Sequence, residues 1–382
     1  MFTILTTLVL GAGLLAQDEG CKRCDFQGVV PCKRHKEEML EHERHVLFCS
    51  EAAACKDCGG ALVVDCKRCD GGPGSEAMAT RRAKIAEWMA EDAISEHLGR
   101  PIRRAETEHF QLVMEAEAMK DGRKKVDPHL LMHLIAEDVE YVAGRIAEHY
   151  VVEEDSYFAK MRMWMWHEVK DHNSAMQEFM NTVTGGDFKL LGREPIFSVW
   201  QEPGLFDTVP GTRSLFTHNA AHMLTSNLYR QLWVGDMGGG WYDAGVGHWY
   251  EYDRFGSSVQ YCIEEATAEQ EYHGGVWRAP LRKVLEQEDD AFFLGRLLPK
   301  NTGAMTLPEQ ALCFSFYDYL VAVHQDKLTA LLRGLKAKKP ARDVLAEVLG
   351  KPLMEIEKDW REWVSKAYPR KGDELKEVEE DD

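Results

Sequence analysis

The stretch that decides the fold is LFTHNAAHMLTSN, residues 215–227. It places His218 and His222 four residues apart inside an apolar run that is predicted to be helical. Positions i and i+4 lie on one face of a helix, so both imidazoles can reach one metal ion. The spacing is that of H-E-x-x-H, in which the glutamate is the general base for a zinc-bound water. In this chain Asn219 stands at the position of that glutamate.

The segments before this helix contain strand patterns, whereas those after it are mainly helical. Strands are predicted within Thr107–Glu115, in KMRMWMWHEV (160–169) and in IFSVWQE (196–202). Apolar residues at helical spacing predict a long buried helix over Pro128–Tyr150. Strands that come first and helices that follow predict an α+β fold.

A second helix is predicted at WYDAGVGHWYE (241–251), after a turn of three glycines. In this order the two helices resemble the gluzincin (zincin-like) fold of the peptidase-MA-like metallopeptidases, over residues 105–368. The resemblance implies a strand-containing N-terminal lobe and a helical C-terminal half. It also implies that a W-x-x-E-G-x-A-x-[YW] helix supplies the third zinc ligand, and Trp241, Gly245 and Trp249 match that pattern.

This chain departs from the family at the positions that would carry out catalysis and bind the metal. Ala244 occupies the position of the glutamate ligand and has no ligand atom. His248 lies one turn later on the same helical face, so His218, His222 and His248 are predicted as a rewired metal site. Asp243 and Glu251 are expected to face other ways, and nothing in the spacing singles out Glu264 or Glu265 as a replacement base.

Three interpretations of this site follow from the residues. The first is a peptidase-like protein that has lost peptidase activity and binds a peptide, protein or glycan in its groove. The second is a divergent zinc hydrolase that uses the rewired site, and the third is a pair of packed histidines without metal. The first is favoured because the amide of Asn219 cannot accept a proton near neutral pH.

Eight of the ten cysteines lie between Cys21 and Cys69, and seven of these eight belong to two copies of one pattern. The segments CKRCDFQGVVPCKRH (21–35) and CKDCGGALVVDCKRC (55–69) align residue by residue. The aligned ligand types are Cys21, Cys24, Cys32 and His35 in the first copy and Cys55, Cys58, Cys66 and Cys69 in the second. A histidine in register with a cysteine suits a zinc ligand and not a disulfide, so two structural Zn²⁺ sites are predicted.

Whether each copy closes its own site or the two exchange ligands stays open. The second copy, with its glycines, resembles the C-x-x-C-x-G-x-G units of DnaJ-type cysteine-rich domains, which implies a small zinc-ribbon-like module. Between the copies, Cys49 with His42 and His45 allows a third metal site, although solvent-facing histidines and a spare thiol are favoured. Cys262 and Cys313 could pair in an exported protein, but their separation in sequence does not give their distance.

The domain organisation follows from these patterns. We expect a signal peptide (1–16), a duplicated Cys/His module (17–75), a linker helix (76–104), the gluzincin-like domain (105–368) and an acidic disordered tail (369–382). The leader predicts a periplasmic or secreted protein without a later membrane span, unless an uncleaved leader anchors it. A net charge of −18 argues against nucleic-acid binding.

Overall fold

The computed structural model describes residues 21–69, 71–153, 155–184, 186–191, 195–202, 208–262, 272–287 and 291–370. The predicted leader, nearly all of the acidic tail, and Glu264 and Glu265 lie outside the described residues. Within these ranges, no helix combines the length and the apolar character that crossing a membrane would require.

The strands of the described ranges form one six-stranded sheet and two two-stranded sheets. In chain order they are β1 (Val29–Pro31), β2 (Phe48–Cys49), β3 (Val63–Asp65), β4 (Arg104–Glu106), β5 (Phe110–Glu115), β6 (Met119–Asp121), β7 (Lys124–Val126), β8 (Met161–Trp166), β9 (Phe188–Leu190) and β10 (Ile196–Trp200). The large sheet has the order β2-β4-β5-β8-β10-β9. Its three central strands β5, β8 and β10 run parallel, and the outer pairings are antiparallel.

Helices make up most of the rest of the chain that the structure describes. They are α1 (Glu37–Arg44), α2 (Ser50–Ala53), α3 (Pro73–Ala90), α4 (Ala93–Leu98), α5 (Pro128–His149), α6 (Val169–Met180), α7 (Val209–Asn227), α8 (Gly240–Phe255), α9 (Arg278–Gln287), α10 (Phe293–Leu297), α11 (Leu307–His324), α12 (Leu328–Lys336), α13 (Ala341–Leu349) and α14 (Leu353–Ala367). Short 3₁₀ turns lie at His273–Gly275, Thr302–Ala304 and Gln325–Lys327. The chain is therefore a mixed α/β protein with a cysteine-rich N-terminal region.

The long helix α5 begins where its sequence predicts. Asp127 caps it by accepting hydrogen bonds from the backbone N–H groups of His129 and Leu130, and Pro128 occupies the first turn. Its apolar face packs against β5 of the large sheet and against α7. Helix α8 packs on α7 on one side and on α11 on another, which places the second half of the core around α8.

The predicted linker helix is two helices rather than one. Helix α3 ends at Ala90, and Asp92 begins α4 by accepting a hydrogen bond from the backbone N–H of Ser95 at 3.1 Å. An aspartate that caps a new helix competes with continuation of the previous one, which is the reason for the break. The strand predictions are confirmed by β5, β8 and β10, and the helix prediction for Pro128–Tyr150 by α5.

The cysteine-rich region shares the large sheet. Strand β2, which lies between the two cysteine copies, pairs with β4 so that Phe48 lies opposite Glu106 and Cys49 opposite Ala105. Trp88 of α3 stacks on Phe48 and donates a hydrogen bond of 2.8 Å to the carboxylate of Glu106. These contacts fix the cysteine-rich region against the edge of the sheet.

Candidate metal centres

The two cysteine copies exchange ligands. The antiparallel pairing of β1 with β3 brings the copies together, with Val30 opposite Val64. One cluster joins Cys21 and Cys24 to Cys66 and Cys69, and the other joins Cys32 and His35 to Cys55 and Cys58. Each site therefore takes one C-x-x-[C/H] pair from each copy, which answers the question that the spacing left open.

The distances within both clusters fit a tetrahedral metal ion. A zinc ion with thiolate bonds near 2.3 Å separates its sulfur ligands by about 3.8 Å. The Sγ–Sγ distances are 3.7 Å for Cys21–Cys66, 3.6 Å for Cys24–Cys69 and 4.0 Å for Cys32–Cys55. A disulfide would bring the sulfurs to about 2.05 Å, and none of the ten cysteines is in one. Both clusters can therefore bind a metal ion.

The histidine pair lies on α7 as its spacing predicts. Thr208 caps the helix, and the pair is buried, with His222 0% and His218 3% exposed. The Nε2 atoms of the two rings approach to 3.0 Å. Two nitrogens on one zinc ion are separated by about 3.3 Å, so the pair can serve as two ligands of one ion.

Two carboxylates of α8 orient these rings. Asp243 Oδ1 lies 2.9 Å from Nδ1 of His222, and Glu251 Oε2 lies 3.0 Å from Nδ1 of His218. The expectation that both carboxylates face away from the pair is wrong. Asp243, Gly247 and Glu251 follow each other at intervals of four, so they form the helix face that meets α7. The face of α8 that meets α7 is thus offset by one residue along the helix from the predicted face, which contains Ala244 and His248.

The third candidate metal ligand at this site is the thiol of Cys262. Sγ of Cys262 lies 3.2 Å from Nε2 of His218 and 3.3 Å from Nε2 of His222, and the three atoms form one cluster. This role of Cys262 was not predicted, because the residue lies forty positions beyond His222 and no spacing pattern connects the two. The suggested Cys262–Cys313 disulfide does not form, since both thiols are free and Cys313 instead contacts Sδ of Met305.

His248 occupies a neighbouring position. Its Nε2 lies 3.0 Å from Oε1 of Gln310 and 3.9 Å from Sγ of Cys262, and its Nδ1 lies 2.9 Å from the hydroxyl of Ser258. It belongs to a second cluster with His218 and Glu251. The structure thus groups His218 and His222 with Cys262, and it groups His218 and His248 with Glu251. Among the described residues, the predicted set of His218, His222 and His248 does not form one group of ligand atoms.

The two residues that depart from the peptidase pattern are both buried. The amide of Asn219 donates a hydrogen bond of 2.9 Å to the carbonyl of Leu215, one turn earlier on α7. Ala244 is fully buried in the apolar core. Neither position offers a base or a ligand.

Burial sets the protonation of the site. It lowers the pKa of His218, of His222 and of His248, the last to about 3, so the rings are neutral, as metal ligands must be. Burial raises the pKa of the Cys262 thiol, so metal binding there would release a proton. Burial also acts to raise the pKa of Asp243, but its close contact with the ring of His222 keeps that pKa below its usual value.

Comparison with known proteins does not assign the chain to a family. Neither the scan against models of protein families nor the search among curated proteins gives a match.

Proposed function

We propose that this chain is an exported zinc-binding protein whose larger domain is a peptidase-MA-like gluzincin that has lost peptidase activity and acts by binding. In this proposal the cysteine clusters hold two structural zinc ions, and His218, His222 and Cys262 hold a third. Histidine ligands whose Nδ1 atoms are held by carboxylates are the usual arrangement at protein zinc sites.

One observation carries the loss of activity: both carboxylates near the histidine pair are already engaged. Besides the ring of His218, Glu251 accepts hydrogen bonds from the hydroxyls of Ser214 and Ser258 and from the backbone N–H groups of Val259 and Gln260. Asp243 likewise accepts a hydrogen bond from Thr302 in addition to its contact with His222. A general base needs a lone pair directed at the attacking water. Among the described residues, the carboxylates nearest the histidine pair direct their lone pairs at hydrogen-bond donors of the protein.

The test combines metal content with hydrolysis. We expect His222→Ala to lose one zinc ion per chain relative to wild type, measured by elemental analysis. We expect neither protein to cleave a fluorogenic peptide library on which an active metallopeptidase serves as the assay control. Chelator-sensitive cleavage by wild type that His222→Ala abolishes would contradict the proposal and favour the divergent hydrolase.

The binding partner proposed is a peptide, a protein or a glycan. Peptide and glycan arrays probed with the intact zinc-loaded protein test this class, and a wild-type protein that binds neither array nor any extracytoplasmic protein counts against it.

Export is tested separately, by determining the N-terminus of the protein recovered outside the cytoplasm. Cleavage near Ala16 is the expected result.

A further inference from the structure

A second pair of histidines four residues apart begins α5, in PHLLMHLI (128–135). The Nε2 atoms of His129 and His133 lie 3.1 Å apart. This is the same local geometry as in the pair on α7, but neither histidine contributes to any centre described above. The pair was not predicted as a site, because its apolar neighbours at helical spacing indicate a buried helix.

Two further ligand atoms from the cysteine-rich region meet this pair. Oε1 of Glu43, on α1, lies 2.9 Å from Nε2 of His129 and 3.5 Å from Nε2 of His133. Sγ of Cys49, at the end of β2, lies 3.5 Å from Nε2 of His129. The four ligand atoms all lie within 4.8 Å of one another. Cys49 was predicted to be a spare thiol near His42 and His45, and the structure pairs it instead with side chains from α5.

The carboxylate of Glu43 is buried without an adequate partner. Its side chain is 1% exposed and that of His133 0% exposed. Oε1 of Glu43 lies close to both imidazoles, but it has no hydrogen-bond partner of acceptable geometry within the described ranges. A buried carboxylate oxygen left in this state costs free energy unless a cation compensates it.

The donor set selects the kind of cation. Two imidazoles, a thiol and a carboxylate suit zinc and similar borderline metals, whereas calcium and magnesium take oxygen ligands. In a tetrahedral zinc site such donors are separated by about 3.2–3.7 Å. Four of the six distances between the ligand atoms run from 2.9 to 3.5 Å, close to that range, and all six are within 4.8 Å.

We propose that Glu43, Cys49, His129 and His133 form a further zinc site that fixes the cysteine-rich region to helix α5. Four protein ligands leave no open position, so the site is structural rather than catalytic. Its position agrees with this role, since two ligands come from the segment between the cysteine copies and two from the core helix of the larger domain. His42 adds a contact of 2.5 Å between its Nδ1 and Glu137 of α5. The inference does not depend on the proposed function, because the two sites share no residue.

The first experiment counts zinc in the full-length protein and three variants by elemental analysis. We expect Cys49→Ala and His133→Gln each to lose one zinc ion per chain. The matched control is His45→Gln, an exposed histidine two residues from Glu43, which should retain the wild-type content. Equal zinc content in all four folded proteins would overturn the proposal. Loss of an ion only in His222→Ala would contradict this site while supporting the centre on α7.

A second measurement decides the question without variants, in case the substitutions prevent folding. Crystals of the zinc-loaded wild-type protein are measured at the zinc absorption edge. An anomalous peak bonded to Nε2 of both His129 and His133 is the expected result. Peaks at the cysteine clusters with none between these two histidines would overturn the proposal.

Discussion

A β-carbon added to Gly247 would lie 2.5 Å from Nε2 of His222 and 2.9 Å from Cε1 of His218. Helix α8 crosses the histidine pair at this glycine. The absence of a side chain there lets the helix approach closely enough for Asp243, one turn before, and Glu251, one turn after, to reach both rings. The site therefore requires glycine at position 247, although glycine is a poor helix former.

Gly247→Ala should damage the centre on α7. The added methyl group must displace rings that carboxylates hold in place, so we expect a loss of about 1–3 kcal/mol in the free energy of unfolding, as for other overpacked cores. We also expect the loss of one zinc ion per chain. Urea denaturation and elemental analysis measure the two effects.

The control for this substitution is Gly144→Ala on α5, where no atom lies within 4 Å of the added carbon. Alanine is the better helix former, so this variant should be unchanged or more stable by up to about 1 kcal/mol. Equal effects of the two substitutions would show that Gly247 has no special role.

Asp243→Asn should weaken metal binding at His222 without unfolding the protein. The amide cannot hold the ring as the carboxylate does, and loss of such a partner costs about 10–100-fold in metal affinity. Competition with a chromogenic chelator measures the affinity. Asp253→Asn is the matched control on the same helix, since Asp253 pairs with Arg145 and Tyr141 away from the site. A change of the same size in both variants would contradict the prediction.

Paired substitutions distinguish exchanged ligands from self-contained copies. In the structure Cys24 and Cys69 belong to one cluster, so Cys24→Ser/Cys69→Ser should lose one zinc ion per chain. Cys24 and Cys32 come from one copy but belong to different clusters, so Cys24→Ser/Cys32→Ser should lose two. Zinc counting by native mass spectrometry reads out both variants, and the opposite pattern would mean that each copy closes its own site.

The pair His109–Glu140 should make stability depend on pH. Nδ1 of His109 lies 2.8 Å from Glu140 Oε2, and the backbone N–H of His109 donates to Oε1 at 2.8 Å. Burial opposes both charges, but the pairing outweighs it, so the pKa of His109 is raised and that of Glu140 is lowered. The histidine contribution is present below its ordinary pKa and is lost as pH rises through the raised value. The glutamate contribution is lost as pH falls through the lowered value.

We therefore expect Glu140→Gln to cost about 1–3 kcal/mol near pH 6, as for hydrogen bonds to charged groups, and less near pH 9. Urea denaturation of both proteins across this range measures the difference. A cost that stays constant over the range would show that the charge of His109 contributes nothing.

The sequence by itself determined the local parts of this protein. The C-x-x-[C/H] pairs, the two H-x-x-x-H pairs and the capped helix α5 depend on residues within one turn of each other, and short spacings dictate that geometry. The strands β5, β8 and β10 were readable for the same reason, from alternation along a few residues.

Only the tertiary structure decided which local pairs meet. It joined Cys24 to Cys69, brought Cys262 to His218 and His222, and set Cys49 beside His129. These residues are far apart in the chain, and their distance is fixed by the packing of helices and strands that no spacing encodes. The one-residue difference in register on α8 has the same origin, because the face that a helix buries is chosen by its neighbours. The sequence thus contains the ligands as short pairs, and the fold assembles those pairs into sites.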